Sequence, residues 1–347
     1  MLFLGIETSC DETAAAVVSD DRAILSNVVL TQLEEHKPFG GVVPEIAARS
    51  HLQNLPKIIK SALADAELAF ADLDGVAATA GPGLIGGVMV GLMAAKSIAL
   101  VHQLPFCAIN HMEAHALTPR LTDDIDFPYL ALLVSGGHSQ FVAVAGPNNH
   151  KILGTTMDDA MGEAFDKSAK LLGLPYPGGP AIETAAMSGD PTAYDLPRPL
   201  KGRANCDFSF SGLKTAVRKL IERPETKLEK GSTVANIAAA FQAAATEIAA
   251  DRTQQAIDMF KHIYPKGNTL VAAGGVASNE TLRHELYNVA QAKKFVFVAP
   301  PANLCTDNGA MVAWAGIERF KVNALSSLNF APRPRWPLDE FKTASQG

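Results

Sequence analysis

Several things are scarce in this chain, and each scarcity narrows what it can be. Its four cysteines, Cys10, Cys107, Cys206 and Cys305, lie far apart and form no C-x-x-C pair. That argues against a disulfide framework and fits the reduced thiols of a cytoplasmic protein. Positive charge is not in excess: the net charge is −6, so no global basic field exists. A nucleic-acid partner would have to meet a local patch, or be held with help from another protein. A long uninterrupted apolar run is also missing. The closest approach, 84–101, is rich in glycine and broken by Lys96 and Ser97. A buried helix is expected there, not a membrane span. Met1–Ile6 runs straight into a strand with no basic segment before it, so a signal peptide is not expected.

What remains is ample for a packed enzyme. Hydrophobic residues make up 48% of the 347, charged residues only 19% and aromatics 7%. At roughly 100–200 residues per domain, two domains or lobes are expected, of α/β composition and not disordered.

The stretch NHMEAH places His111 and His115 four positions apart. On a helix that spacing stacks both imidazoles on one face, the way a helix offers two nitrogens to one metal ion. A pair on a solvated or partner-facing helix has the same spacing, so a third ligand must decide. Asp307, in CTDNGAM, lies just past a short strand expected at 295–299, as NHMEAH lies just past one at 106–109. It could be an ordinary N-cap. As a third ligand it would complete two imidazoles and one carboxylate with open positions, a set suited to Fe(II) or Zn(II).

Two stretches repeat one plan. Residues 2–30 read as strand, small polar turn (TSCDET), then two further strands; residues 129–155 do the same around SGGHS. The copies lie about 125 residues apart, one heading each half of the chain. Backbone N–H groups in such turns form anion-binding concavities, although an ordinary tight hairpin gives the same letters. Gly75–Gly83 reads as a buried strand ending in a glycine turn that opens the next helix. TLVAAGGVASNETL reads as strand, glycine turn and helix. In it Gly274 and Gly275 let a flat ligand approach the backbone, and Asn279 can hydrogen-bond a sugar or base. Asp166 falls in an expected helix and carries no functional reading by itself. Lys201, Arg203, Lys214, Arg218, Lys219, Arg223, Lys227 and Lys230 concentrate local positive charge, either an RNA-facing patch or a solvated helix face. A long alanine-rich helix is expected over 232–263.

Taken together, the strings LGIETSCDET, GGVVPEIAARSH, TAGPGL, NHMEAH, LLVSGGHS, GEAFDKSAKLLGLPYPGGP, FSFSGLKTA, GGVASN, CTDNGAM and RPRWPLDE run in order through nearly the whole chain. The chain thereby resembles the bacterial TsaD family (also called Gcp or YgjD), the tRNA N6-adenosine threonylcarbamoyltransferases. The resemblance implies an α/β fold of the actin-like, Hsp70-like, sugar-kinase-like class, with two lobes and a duplicated core around a nucleotide cleft. Its lobes would be 1–125 and 126–347, with a helical insertion at about 157–265 and a C-terminal segment packing back on the first lobe. It implies that His111, His115 and Asp307 bind one metal ion, Fe(II) by family precedent, with Zn(II) as the alternative. It also implies that Leu133, Val134, Ser135, Gly136, Gly137, Asp166, Gly179 and Asn279 line the site for threonylcarbamoyl-AMP. Glu183 stands where some members carry an aspartate. Ser139 and Ser278 depart conservatively from the Thr and Ala common at those positions.

The reaction so implied moves the threonylcarbamoyl group to N6 of the adenosine beside the anticodon, in tRNAs reading codons that start with A, and releases AMP. Asp11 and Glu12, in the first hairpin turn, are the carboxylates available to accept the amine proton. The implied partners are tRNA, a smaller paralogous actin-like protein (TsaB-type), a P-loop ATPase (TsaE-type) and a separate synthase supplying the adenylate. Cytoplasmic location is expected, with no membrane. Three readings compete: a Mg²⁺-dependent kinase or ATPase of the same fold, a zinc metalloprotease, and a non-catalytic scaffold. The protease motif needs Glu directly after the first His. Glu113 comes two residues after His111, roughly 200° round the helix.

Overall fold

The structure, a computed structural model, describes residues 1–224, 226, 228 and 231–340. These form two compact units. The first comprises Met1–Asp126, Ala145–His150 and the described residues from Thr306 on; the second comprises Phe127–Val144 and Lys151–Cys305.

The first unit opens with β1 (Leu2–Glu7), β2 (Glu12–Ser19), β3 (Ile24–Thr31), the short α1 (Leu33–His36) and α2 (Pro44–Asp65). It continues with β4 (Gly75–Gly81), α3 (Ile85–His102), β5 (Phe106–Asn110) and α4 (His111–Thr122). The second unit holds β6 (Tyr129–Val134), β7 (Ser139–Gly146), β8 (Asn149–Thr155), α5 (Met161–Leu171), α6 (Gly178–Ala186) and α7 (Ser211–Ile221). Then come α8 (Gly231–Ile263), β9 (Thr269–Ala273), α9 (Glu280–Ala292), β10 (Val296–Val298) and the short α10 (Ala302–Cys305). The last helix, α11 (Gly309–Lys321), belongs to the first unit.

The repeat seen in the letters is a repeat of topology. The first sheet runs β3-β2-β1-β4-β5 and the second β8-β7-β6-β9-β10. In each, the first strand pairs antiparallel with its hairpin partner and parallel with the strand that follows the helices. This duplicated core is the actin-like α/β class. Parallel strands buried on both faces need near-continuous apolar runs, and LFLGIE, GVAATAG and YLALLV supply them. Because β1, β4 and β5 are parallel, their carboxyl ends share one sheet edge. Glu7, Gly81 and Asn110 stand there.

Close packing fixes α11 on the first sheet. A Cβ at Gly5 would sit 2.3 Å from both Ala313 N and Gly309 O, so strand and helix backbones meet with no side chain between them. Leu4, Ile6, Val76, Leu92 and Trp336 share this unit's core. In the second unit Leu130, Leu132, Phe141, Phe208, Phe241 and Leu270 build the core, against the alanine-rich buried face of α8. α3, the apolar stretch singled out above, buries Gly87, Val88, Gly91, Leu92, Ala95 and Ala99 on one face only. Ile85, Met89 and Met93 on its other side are exposed.

Candidate metal centre and substrate loops

α4 starts where it does because Asn110 caps it: the Asn110 side-chain oxygen accepts from the N–H of Met112 at 2.9 Å and of Glu113 at 3.4 Å. The Asn110 amide donates to Trp336 O at 2.9 Å, so the C-terminal segment holds the cap. The helix therefore begins at His111, with His115 one turn on. Both rings are buried, edge to face with centroids 4.7 Å apart.

Asp307 sits beside them and is not an N-cap. The residue after it, Asn308, caps α11 by accepting from Met311 N at 3.0 Å. The Asp307 carboxylate instead faces the imidazoles. Its Oδ1 lies 3.0 Å from His115 Nε2 and 3.5 Å from His111 Nε2. One ligand atom from each residue lies within 4.8 Å of the others. Donors on a common ion with bonds of about 2.0–2.2 Å stand roughly 3–4.4 Å apart, and both carboxylate–imidazole separations lie in that range. Nitrogen, nitrogen and carboxylate oxygen are donors for a transition metal.

Behind the first imidazole stands a residue that motif reading passed over. Glu7, at the end of β1, is fully buried, and its Oε2 lies 3.1 Å from His111 Nδ1. Ser9 Oγ lies 3.2 Å from the same nitrogen. Burial alone would raise the Glu7 carboxyl, but His111 holds it below the usual range. Burial alone would lower His111, but Asp307 and Glu7 outweigh it and hold the imidazole up at about 9. The signal for Glu7 was in the sequence: a carboxylate closing an otherwise apolar strand must have a buried partner.

Asp11 follows in the first turn, and Glu12, expected in that turn, opens β2. Burial, then Asp307, then Asp11 push the Glu12 carboxyl well above its ordinary value. Negative groups crowd this edge, and a cation among them would relieve the crowding. Glu113 takes no part: its Oε1 accepts from Asn148 N at 2.8 Å and its Oε2 from Arg319 Nε at 2.8 Å. Both oxygens are engaged away from the histidines, which removes the base a protease would need.

The residues expected to line the substrate site all fall in the second unit: residues 133–137 at the end of β6, Asp166 on α5, Gly179 and Glu183 on α6, and Asn279 in the turn after β9. Leu133 and Val134 are fully buried, backbone included, and carry the turn from beneath. Ser135 closes the turn, its Oγ accepting from His138 N at 3.2 Å, while Gly136 and Gly137 face open space. A Cβ at Gly274, whose φ is +95, would sit 2.4 Å from Val134 O, so no larger residue fits between the two loops. Asp166 Oδ1 accepts from Gly178 N at 2.8 Å and pins the first turn of α6, which contains Gly179. Glu183 Oε1 accepts from Glu280 N at 2.8 Å. Asn279 is more committed than its letters suggest. It caps α9 through Leu282 N at 2.8 Å and donates to Gln242 Oε1 at 2.9 Å. Of the basic residues, Lys201 pairs with Glu247 and Lys214 with Asp159, which thins the local field. Lys227 and Lys230 lie outside the described residues.

Comparison with known proteins sets these features in a family. Residues 23–314 match the family model TsaD, tRNA N6-adenosine threonylcarbamoyltransferase. A protein of that name from Paramagnetospirillum magneticum is 58% identical over 347 residues, covering 100% of this chain and 99% of that protein. One from Brucella anthropi is 58% identical over 346 residues, covering 98% and 96%. Among solved structures, full-length HypF in its phosphate- and nucleotide-bound form matches with TM-score 0.58 at 13% identity, over 94% of this chain and 47% of that one. The activator of the 2-hydroxyisocaproyl-CoA dehydratase from Clostridium difficile matches with TM-score 0.50 at 12% identity, over 94% and 99%. Those two likenesses speak for the fold alone. The sequence relatives and the family model go further: this chain is an acyltransferase enzyme and belongs to the TsaD family of tRNA N6-adenosine threonylcarbamoyltransferases.

Proposed function

We propose that the protein transfers the threonylcarbamoyl group of threonylcarbamoyl-AMP to N6 of the adenosine beside the anticodon, in tRNAs reading codons that start with A. The observation that carries this reading is the convergence of His111, His115 and Asp307 on one point, beside Glu12, in a chain matched end to end by its relatives. The amine nitrogen forms a bond to the carbamoyl carbon, the bond from that carbon to the AMP phosphate oxygen breaks, and AMP leaves. The amine proton goes to a carboxylate. Glu12, at the start of β2, and Asp11 beside it are the carboxylates placed to accept it. Backbone N–H groups of Ser135, Gly136 and Gly137 supply donors for charge that develops on the oxygens. Asp166, Gly179, Glu183 and Asn279 position the segments around the adenylate, with Leu133 and Val134 as the buried strand end that carries the turn at 135–137. Fe(II), or alternatively Zn(II), held by His111, His115 and Asp307 would act as a Lewis acid toward a carbonyl or phosphoryl oxygen.

The partners follow the same reading: tRNA as substrate, a smaller TsaB-type paralogue, a TsaE-type P-loop ATPase and a separate synthase for the adenylate, all in the cytoplasm. The exposed apolar residues Ile85, Met89 and Met93, at helical spacing on α3, and Leu52 on α2 support a protein partner on the first unit. The test is a transfer assay with synthetic threonylcarbamoyl-AMP, unmodified tRNA and the partner proteins. Nucleosides are read by mass spectrometry and metal content is measured on the same sample. His111→Ala should abolish metal and transfer together. Full transfer by a metal-free variant would remove the metal from the reading, and ATP hydrolysis without transfer would replace it with a kinase-like one.

A further inference from the structure

We infer that Glu7 is a positioning residue for the metal centre: it fixes the His111 ring so that Nε2, and not Nδ1, presents a lone pair toward Asp307 and His115. The inference rests on the metal reading of that triad. Glu7 is buried without any exposed surface, in a strand whose other core positions are apolar. A carboxylate so placed must have its oxygens satisfied. Its Oε1 accepts from Ser9 N at 2.5 Å, and its Oε2 accepts from Thr79 Oγ1 at 2.5 Å. What remains of Oε2 faces His111 Nδ1 at 3.1 Å. An ionised carboxylate only accepts, so the proton of the neutral imidazole sits on Nδ1 and the lone pair on Nε2. Nε2 is the atom that faces Asp307.

The two histidines differ in this respect. His115 also points Nε2 at Asp307, but its Nδ1 is buried with no hydrogen-bond partner. The carboxylate therefore supports the histidine at the helix start alone, where β1, β4 and β5 end together. Carboxylate partners of this kind orient metal-bound imidazoles and raise their basicity, and their loss typically weakens metal affinity about 10–100-fold. Glu7→Gln keeps the size and one acceptor for Ser9 N. It can turn an N–H₂ donor toward His111, which favours the wrong tautomer and places a proton where the metal should be. A purely structural role, holding β1 to Ser9 and Thr79, would leave both tautomer and affinity untouched.

The experiment uses the full chain and Zn(II) alone as probe. The dissociation constant is measured by competition with a chromophoric chelator for wild type, Glu7→Gln, Thr79→Val and His111→Ala. Long-range proton–nitrogen correlation spectra of the Zn(II)-loaded wild type then identify the protonated ring nitrogen of His111. Glu7→Gln should weaken Zn(II) binding about 10–100-fold. Thr79→Val, which leaves the Glu7 charge in place, should weaken it less. His111 should carry its proton on Nδ1. Zn(II) binding by Glu7→Gln within twofold of wild type, with His111→Ala unable to bind, overturns the role of Glu7 while the metal reading stands. Unchanged binding by His111→Ala overturns the metal reading itself. If Glu7→Gln does not fold, the wild-type spectrum still decides: ligation through Nδ1 refutes the proposal.

Discussion

Replacing Arg319 by methionine should destabilise the first unit more than any surface change, for reasons that can be worked from its surroundings. The Arg319 guanidinium on α11 donates to Glu113 Oε2 through Nε at 2.8 Å and also through Nη2, and to Ala108 O at 2.7 Å. Glu113 lies on α4, between the two histidines in sequence, and is fully buried. Arg319→Met keeps most of the apolar stem but leaves that carboxylate without its cation. Breaking a buried pair in this way costs about 3–5 kcal/mol. For a unit of this size each kcal/mol moves the midpoint by about 2–4 °C, so the transition should fall by about 6–20 °C. Calorimetry and urea titration followed by circular dichroism would read it.

The pH dependence carries a sign. In the wild type, Arg319 and His150 outweigh burial and hold Glu113 below its ordinary 4.5. The stabilisation from the pair is therefore complete above that value and is lost as pH falls through the folded-state pKa. Without Arg319, burial dominates and the carboxyl moves up, so the variant loses stability as pH rises through the carboxylate range. The gap between the two proteins should be widest near neutrality and narrow in acid. Adding Glu113→Leu removes the orphaned charge, and the double variant should be no less stable than Arg319→Met alone. A midpoint within about 2 °C of wild type, or strictly additive losses in the double variant, would refute the argument.

Two further changes test the packing and the loops. Gly5→Ala places a methyl group against the backbone of α11 and should cost at least about 1–3 kcal/mol, read as a lower urea midpoint with unchanged slope. Asn279→Ala removes the cap of α9 and the partner of Gln242, and should lower stability by about 1–2 kcal/mol in the same titration. A fully stable Asn279→Ala protein would mean that neither bond matters to the fold.

What could be read from the sequence was what repeats or has a period. The two hairpins, the alanine-rich α8 and the strand before NHMEAH all announce themselves through local patterns, and the His pair through helical spacing. Asp307 was visible only by analogy of position, and its competing role as a cap was settled by Asn308, one residue on. The partners of Glu7 and Arg319 were hidden for a common reason. They lie 104 and 206 positions away, and the match between a buried carboxylate and a distant cation or imidazole leaves no period to detect. Asn279 shows the opposite limit. Its letters suggest a free amide, whereas capping α9 and bonding Gln242 occupy both ends of it.

The first unit is assembled from segments far apart in the chain: it begins at Met1 yet takes Asp307, α11 and Trp336 from beyond Cys305. Translation runs in one direction, so the ribosome releases nearly all of the second unit before it makes these pieces. While the nascent chain is growing, His111 and His115 exist without their carboxylate, Glu113 without its arginine, and Asn110 without the Trp336 carbonyl. The metal triad is thus incomplete until the segment after Cys305 has been made, and a chain cut short at Cys305 would carry the two imidazoles without Asp307. Completion of the triad therefore waits on the segment that follows the second unit.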